Sequence, residues 1–291
     1  NIPGCPIAYW ASENVIKSFD NLIGQKFQAV AGISTGKNEA YIFSWFEINY
    51  NDIGFKANMD SKFRPHSKGG EFRKWYGNRD YIIKYNRNTL EEMRKLPGFR
   101  HDGNQYYFKN LLSWSKVTSS MFSVRYYDPC FVFDSAAPAL YSDSIEYNLL
   151  GYLNSKLPNY FMQIINPTMN YPPGYVQTLP YFSFDKSQIE EITKCNISLS
   201  KSDWDSFETS WDFERHPFLT YRNDAKTLES CYTNWESHAT SQFCQLQQNE
   251  EELNRIFIDL YRLQDELTPE VPDEEITVRR ADRERDARSF L

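Results

Sequence analysis

The sequence predicts an α+β fold, with short strands and helices mixed over about residues 1–183 and an all-helical region over 184–291. Three observations carry this. Short apolar stretches of strand character alternate with short helical patterns before about residue 183, but without the regular βαβ succession of a parallel sheet. The composition changes near residue 185, after which helical spacing dominates. From Asp224 to Leu267 there is neither Pro nor Gly, so one long helix is expected over about 224–267.

In order, a Pro-rich opening and Ala8-Tyr9-Trp10 precede a short helix capped by Ser12. Phe27 to Ala31 alternates as a strand and runs into Gly32-Ile33-Ser34-Thr35-Gly36-Lys37-Asn38. That loop is not a P-loop: only three residues separate Gly32 from Gly36-Lys37, and Asn38 replaces the required Ser or Thr. Tyr41–Ile48 and Tyr81–Tyr85 read as strands. Thr89, with Glu92 three residues on, reads as the cap of a short helix ended by Pro97-Gly98. Strand pieces follow at 106–108, 111–115, 122–126 and 131–133. Asp143 with Glu146 is expected to open a helix bearing Leu149, Leu150, Leu153 and Leu157 on its apolar face. Later helices are expected from Ser187 and from Ser202 to Phe213. The long helix that follows would extend about 60 Å at ~1.5 Å per residue, the length of a strut or coiled-coil arm. Glu250-Glu251-Glu252 reads as its solvated face, and Pro269 and Pro272 as its end. The mixed-charge tail 279–286 reads as an exposed helix start.

One stretch stands out chemically. Lys68-Gly69-Gly70-Glu71-Phe72-Arg73-Lys74-Trp75-Tyr76-Gly77-Asn78 combines three cations, three glycines, Trp75 and Tyr76. Glycines allow close backbone approach, Arg and Lys neutralise phosphate, and Trp and Tyr offer stacking faces. A nucleic-acid-facing loop and a Gly-rich hairpin with solvated charges both fit these eleven residues. The charge distribution bears on the choice. The net charge is −7, yet residues 60–128 hold 14 Lys+Arg against 7 Asp+Glu, a local +7, leaving 18 against 32 elsewhere, −14.

Five cysteines (5, 130, 195, 231, 244) are scattered and never in C-x-x-C spacing. This argues against a disulfide scaffold or zinc knuckle and fits a reducing, cytoplasmic setting. No two of the four His are spaced as a metal pair, so no metal site is expected. No apolar run reaches the ~20 residues of a membrane span. The chain opens on Asn1 without Met and closes on Phe290-Leu291, so a piece of a longer protein is expected.

No catalytic centre emerges. Adenine-N6 methyl transfer uses an Asn-Pro-Pro-aromatic turn against a flipped base. Here Asn166-Pro167-Thr168 and Asn170-Tyr171-Pro172-Pro173 have the wrong order, and no Gly-rich turn joins a strand to a helix as a methyl-donor site requires. No Ser, His and Asp constellation is visible, and carboxylate pairs such as Asp203/Asp205 read as surface or capping groups.

An ordered set of motifs nevertheless resembles a known family. It comprises Ile2-Pro3-Gly4-x-Pro6-Ile7-Ala8-Tyr9-Trp10, Gly32-x-x-Thr35-Gly36-x-Asn38, Trp45-Phe46-Glu47, the Lys68–Asn78 stretch and Trp114-Ser115. Leu150-Gly151-Tyr152-Leu153-Asn154-Ser155-Lys156, Asn166-Pro167-Thr168-x-Asn170, Asp203 to Phe213 and Glu252 to Ile258 follow. Together these resemble the C-terminal part of the PglX family, adenine-specific DNA methyltransferases of BREX phage-defence systems. The resemblance implies a DNA target-recognition domain over 1–183 and a helical spacer and docking region over 184–291, similar in plan to type IIG enzymes and type I specificity subunits. It implies that S-adenosylmethionine and the catalytic turn belong to an N-terminal domain absent here, so this piece alone is expected to be inactive and to hold no cofactor.

Under this reading Lys68, Arg73, Lys74, Arg79 and Lys84 are expected to contact phosphates or base edges. Thr35, Lys37 and Asn38 form a second loop on the same face, and Asn38 and Asn78 are candidates for adenine edges. Lys109, Lys116 and Arg125 extend the basic segment. Trp75 is expected to pack under its loop, and Trp45 and Trp114 in the core. The expected partners are double-stranded DNA, the missing methyltransferase domain, other defence proteins and a phage DNA mimic, with no membrane. A carbohydrate-binding protein using the 16% aromatic content, or a protein-interaction module using the acidic half, are the competing classes.

Overall fold

The computed structural model describes residues 2–4, 11–56, 61–182 and 187–288. The motif around Ala8-Tyr9-Trp10 lies outside them. Strands are β1 (Ala29–Val30), β2 (Ile33–Ser34), β3 (Ile42–Ser44), β4 (Phe63–Ser67), β5 (Tyr81–Lys84), β6 (Arg100–His101), β7 (Asn110–Trp114), β8 (Val124–Tyr127), β9 (Val132–Phe133) and β10 (Ala139–Ser142). Helices are α1 (Glu13–Ser18), α2 (Asn38–Tyr41), α3 (Arg87–Met93), α4 (Tyr147–Leu153), α5 (Lys156–Ile165), α6 (Pro173–Gln177), α7 (Ser187–Trp204), α8 (Pro217–Thr220), α9 (Leu228–Tyr261) and α10 (Arg283–Arg288). The fold is α+β.

One antiparallel sheet runs β1-β10-β7-β8, a second runs β3-β5-β4-β9 with β4 and β9 parallel, and β2 pairs with β6 as a ribbon. Ile33, Ile42, Ile83, Leu111, Tyr127, Phe131 and Phe133 make one core of the strand-rich part. The larger core joins Leu112, Trp114 and Val124 to α4 and α5 and to Ile189, Phe243, Leu246, Leu253 and Phe257 of α7 and α9. That core therefore runs across the sequence position where the composition changes.

Several elements differ from expectation for local reasons. The 89–96 helix starts at Arg87, because the Asn86 side chain caps it by accepting from the Thr89 N–H at 2.9 Å. Where a strand piece is expected at 106–108, Asn104–Tyr106 form a 3-10 turn and Phe108 adopts a positive φ of 62°. The helix expected to open at Asp143 starts at Tyr147 and breaks at Asn154. There the Asn154 amide turns away to bond both Val124 N and Val124 O at 2.9 Å. α7 runs on to Trp204, so no separate helix forms over 202–213. β4 was hidden by Arg64-Pro65-His66, since Pro inside a run argues against a strand.

The long helix α9 has 34 residues, about 51 Å at ~1.5 Å each. Arg262 ends it in a left-handed cap (φ 57°), seven residues before Pro269. It is not a free strut. Its second half is buried against α4, α5 and α7, and Glu250, expected in solvent, is only 2% exposed.

Candidate nucleic-acid interface

The site is built from strand ends. β4 and β9 run parallel, so Ser67 and Phe133 lead out on the same edge, where the Asp134 N–H donates to Ser67 O at 2.9 Å. Ser135 N–H donates to Ile33 O at 2.9 Å, bringing in the end of β2. Lys116 N–H donates to Ala136 O at 2.9 Å, bringing in the end of β7. Gly69 packs against Ser115 and Ala136 so closely that a Cβ there would lie 3.3 Å from Ala136 O. Lys37, Lys68 and Lys116 therefore follow strands that leave the fold at one edge, around the Ser135-Ala136 turn. Lys37 is exposed; Lys68 and Lys116 are half-buried, Lys68 with its ammonium 4.5 Å from the centre of the Tyr81 ring.

The Lys68–Asn78 stretch mostly turns inward. Trp75 joins the edge of β8: its N–H donates to Val124 O at 3.0 Å and its carbonyl accepts from Tyr126 N–H at 2.9 Å. Its indole N–H donates to Glu250 at 2.7 Å, and the Lys74 ammonium donates to the other Glu250 oxygen at 2.7 Å. Burial raises the Glu250 carboxyl above its ordinary range, opposed by Lys74 and the Trp75 hydrogen bond. Arg73 reaches Asp203 at 3.3 Å and stacks over Trp204 at 4.9 Å. The stretch is thus a clasp that locks the strand-rich part onto α7 and α9.

This corrects five sequence-based assignments. Lys74 is spent on Glu250. Asn78 is buried at φ 52° and closes the loop by donating to Glu71 O at 2.9 Å. Arg79 is 2% exposed; burial opposes its charge, but Tyr76 and Asp128, the latter at 2.6 Å, more than offset this and raise its pKa. Arg125 is fully buried and donates to Arg73 O, Ser115 Oγ and Tyr127 Oη. Thr35 is fully buried, its hydroxyl donating to Asn38 Oδ1 at 2.6 Å. Each is a structural group, because a buried polar or charged group keeps its partners. Arg73 is partly exposed but paired, and Lys109 pairs with Asp143 at 2.7 Å. Lys84 lies half-buried opposite Phe63, away from the strand-end edge. Asn38 stays exposed beside Lys37.

Sequence reasoning missed Arg94, Lys95 and Arg100. All three are exposed, and the Lys37 loop packs against their segment: Ser34 pairs with Arg100, and a Cβ on Gly36 would lie 2.9 Å from Pro97 O. Their signal lies in the local +7 count, but the sequence places Arg94 and Lys95 only in a helix and gives Arg100 no motif.

The glycine loop before α2 is packed against Pro97 rather than open as a cradle. The Tyr171 carbonyl, which an adenine-binding turn would need, already accepts from the Trp114 indole at 2.7 Å. No group of His, Cys, Asp and Glu among the described residues is arranged to hold a metal.

Across its whole length the chain is 37% identical to the adenine-specific methyltransferase PglX of Lacticaseibacillus casei (strain Zhang). The chain is homologous to the PglX/BrxX adenine-specific methyltransferases. It is 32% identical over 92% of its length to BrxX of Escherichia coli O9:H4 (strain HS). It spans 26% of the PglX relative and 22% of the BrxX relative. No family model matches it. Among solved structures it shares a fold with the type IIL restriction-modification enzyme MmeI, whose structure is in complex with DNA. The TM-score is 0.51 and the identity 12%, over 86% of this chain and 34% of that one. In terms of the PglX/BrxX homology, the Lys68–Asn78 motif marks a structural clasp, and the cations left on the surface lie at the strand-end edge.

Proposed function

We propose that this chain is the DNA-recognition part of a site-specific adenine-N6 DNA methyltransferase acting in phage defence of the BREX type. The observation that carries the reading is the homology to adenine-specific methyltransferases over the entire chain. The fold shared with MmeI and the strand-end edge with Lys37, Lys68 and Lys116 are consistent with it. Chemistry and the methyl donor belong to another part of the enzyme, which the helical half of this chain docks through α7 and α9. Acidic surfaces there are the place for other defence proteins, and a phage DNA mimic would compete at the cationic edge. The protein works in the cytoplasm. A sugar-binding reading has less support, because Trp75, Trp114, Trp204 and Trp235 are buried rather than arrayed as a platform.

The test is enrichment of duplexes from a random pool by the full-length protein. Recovery of one shared sequence, competed poorly by scrambled DNA, is the expected result. Binding that ignores sequence, or no duplex binding, would refute the proposal.

A further inference from the structure

We propose that the turn over 166–170, with Met169 at its tip and Val117 beside it, is an apolar wedge that packs against the bases of bound duplex DNA. The proposal rests on the DNA-recognition reading and adds the contact that reading lacks. Val117 and Met169 are 68% and 63% exposed, among the most exposed large apolar side chains of the described residues. The two are neighbours, since Val117 pairs with Asn170 beside Met169, and contiguous exposed apolar groups mark interaction sites where singly scattered ones do not.

The support is rigid. Thr118 N–H donates to Met169 O at 3.1 Å and Tyr171 N–H to Lys116 O at 2.6 Å, so the two segments form a short antiparallel bridge. The Asn166 amide donates to Asn170 O at 2.7 Å and accepts from the Thr168 hydroxyl at 2.8 Å. The turn spends its polar groups on its own shape and leaves a methionine outside. A wedge needs that arrangement, because an ordered tip loses little entropy when it inserts.

Charge selects the occupant. The tip adjoins Lys116, on the same edge as Lys68 and Lys37. Beside it lies an open groove of about 530 Å³ whose lining contains no Asp or Glu, although the chain holds 39 acidic residues. The groove lining is uncharged and so does not repel a polyanion, Lys116 is joined to the turn through its backbone, and Met is among the apolar side chains that wedge between base steps.

The experiment uses the full-length protein, a selected duplex carrying 2-aminopurine at successive positions, and the variants Met169→Ala, Met169→Glu and Val117→Ala. Wild type is expected to raise the fluorescence at one position, reporting local unstacking. Met169→Ala should lose that signal and weaken binding about tenfold, the order expected for losing one buried apolar side chain. The slope of log affinity against log salt should stay the same, because every phosphate keeps its cation. Unchanged melting temperatures would show that the variants fold. Variants that bind and unstack as wild type does would overturn the wedge while leaving DNA recognition standing. Variants that bind and unstack the duplex as wild type does but lose methylation would show a tip that docks on the methyltransferase domain and also overturn it. A wild type that binds no duplex would overturn the underlying reading.

Discussion

Glu250→Gln should be among the most destabilising single changes on α9. The carboxylate accepts from the Lys74 ammonium and the Trp75 indole, both at 2.7 Å, and all three side chains are buried. Glutamine keeps one acceptor for the indole but turns an N–H₂ group towards the ammonium, leaving a buried charge unpaired. Removing one partner of a buried ion pair costs about 3–5 kcal/mol. At roughly 2–4 °C per kcal/mol for a chain of this size, the melting point should fall by roughly 6–20 °C. Lys74→Met should cost less, because Glu250, already raised by burial, can take up a proton and keep the indole bond. The double variant should recover at least about 1 kcal/mol of the summed losses, since neighbouring side chains couple. Urea unfolding of the four proteins closes the cycle. A Glu250→Gln stability within about 0.5 kcal/mol of wild type, the range of a surface substitution, would refute the clasp.

Charge reversal at Lys37, Lys68 and Lys116 should weaken duplex binding and flatten its salt dependence by about 0.9 units of slope for each phosphate no longer neutralised, with the melting point unchanged. Gly32→Ala should destabilise by roughly 3 kcal/mol, because its Cβ would meet Phe133 O at 1.8 Å; unfolding curves check this. Burial alone would raise the Asp134 carboxyl, but the His66 hydrogen bond and charge and the Ala136 N–H hold it below its ordinary 3.8. Its stabilising contribution is therefore present above that value and lost as pH falls through the folded pKa. Asp134→Asn should lower stability at neutral pH and flatten the acid limb measured below about pH 4.

The α+β class, most strands and the long helix were legible because they follow from periodicity and from a Pro- and Gly-free stretch. Ends were less so: Asn86, Asn154 and Arg262 set theirs through side-chain capping or backbone geometry that competes with the apolar pattern. The site was half legible. The basic segment identified the cations but not their direction, because Lys74 and Glu250 meet across 176 positions of sequence. Reversing Arg73 and Lys74, the natural test from sequence alone, would set a second carboxylate against buried Glu250 and unfold the clasp.

The most direct test of DNA recognition is a region exchange. This chain replaces the aligned region of the 37% identical PglX relative, and N6-methyladenine is mapped across the host genome. The account predicts methylation at a new sequence motif set by this chain. Methylation that continues at the relative's original motif would contradict it.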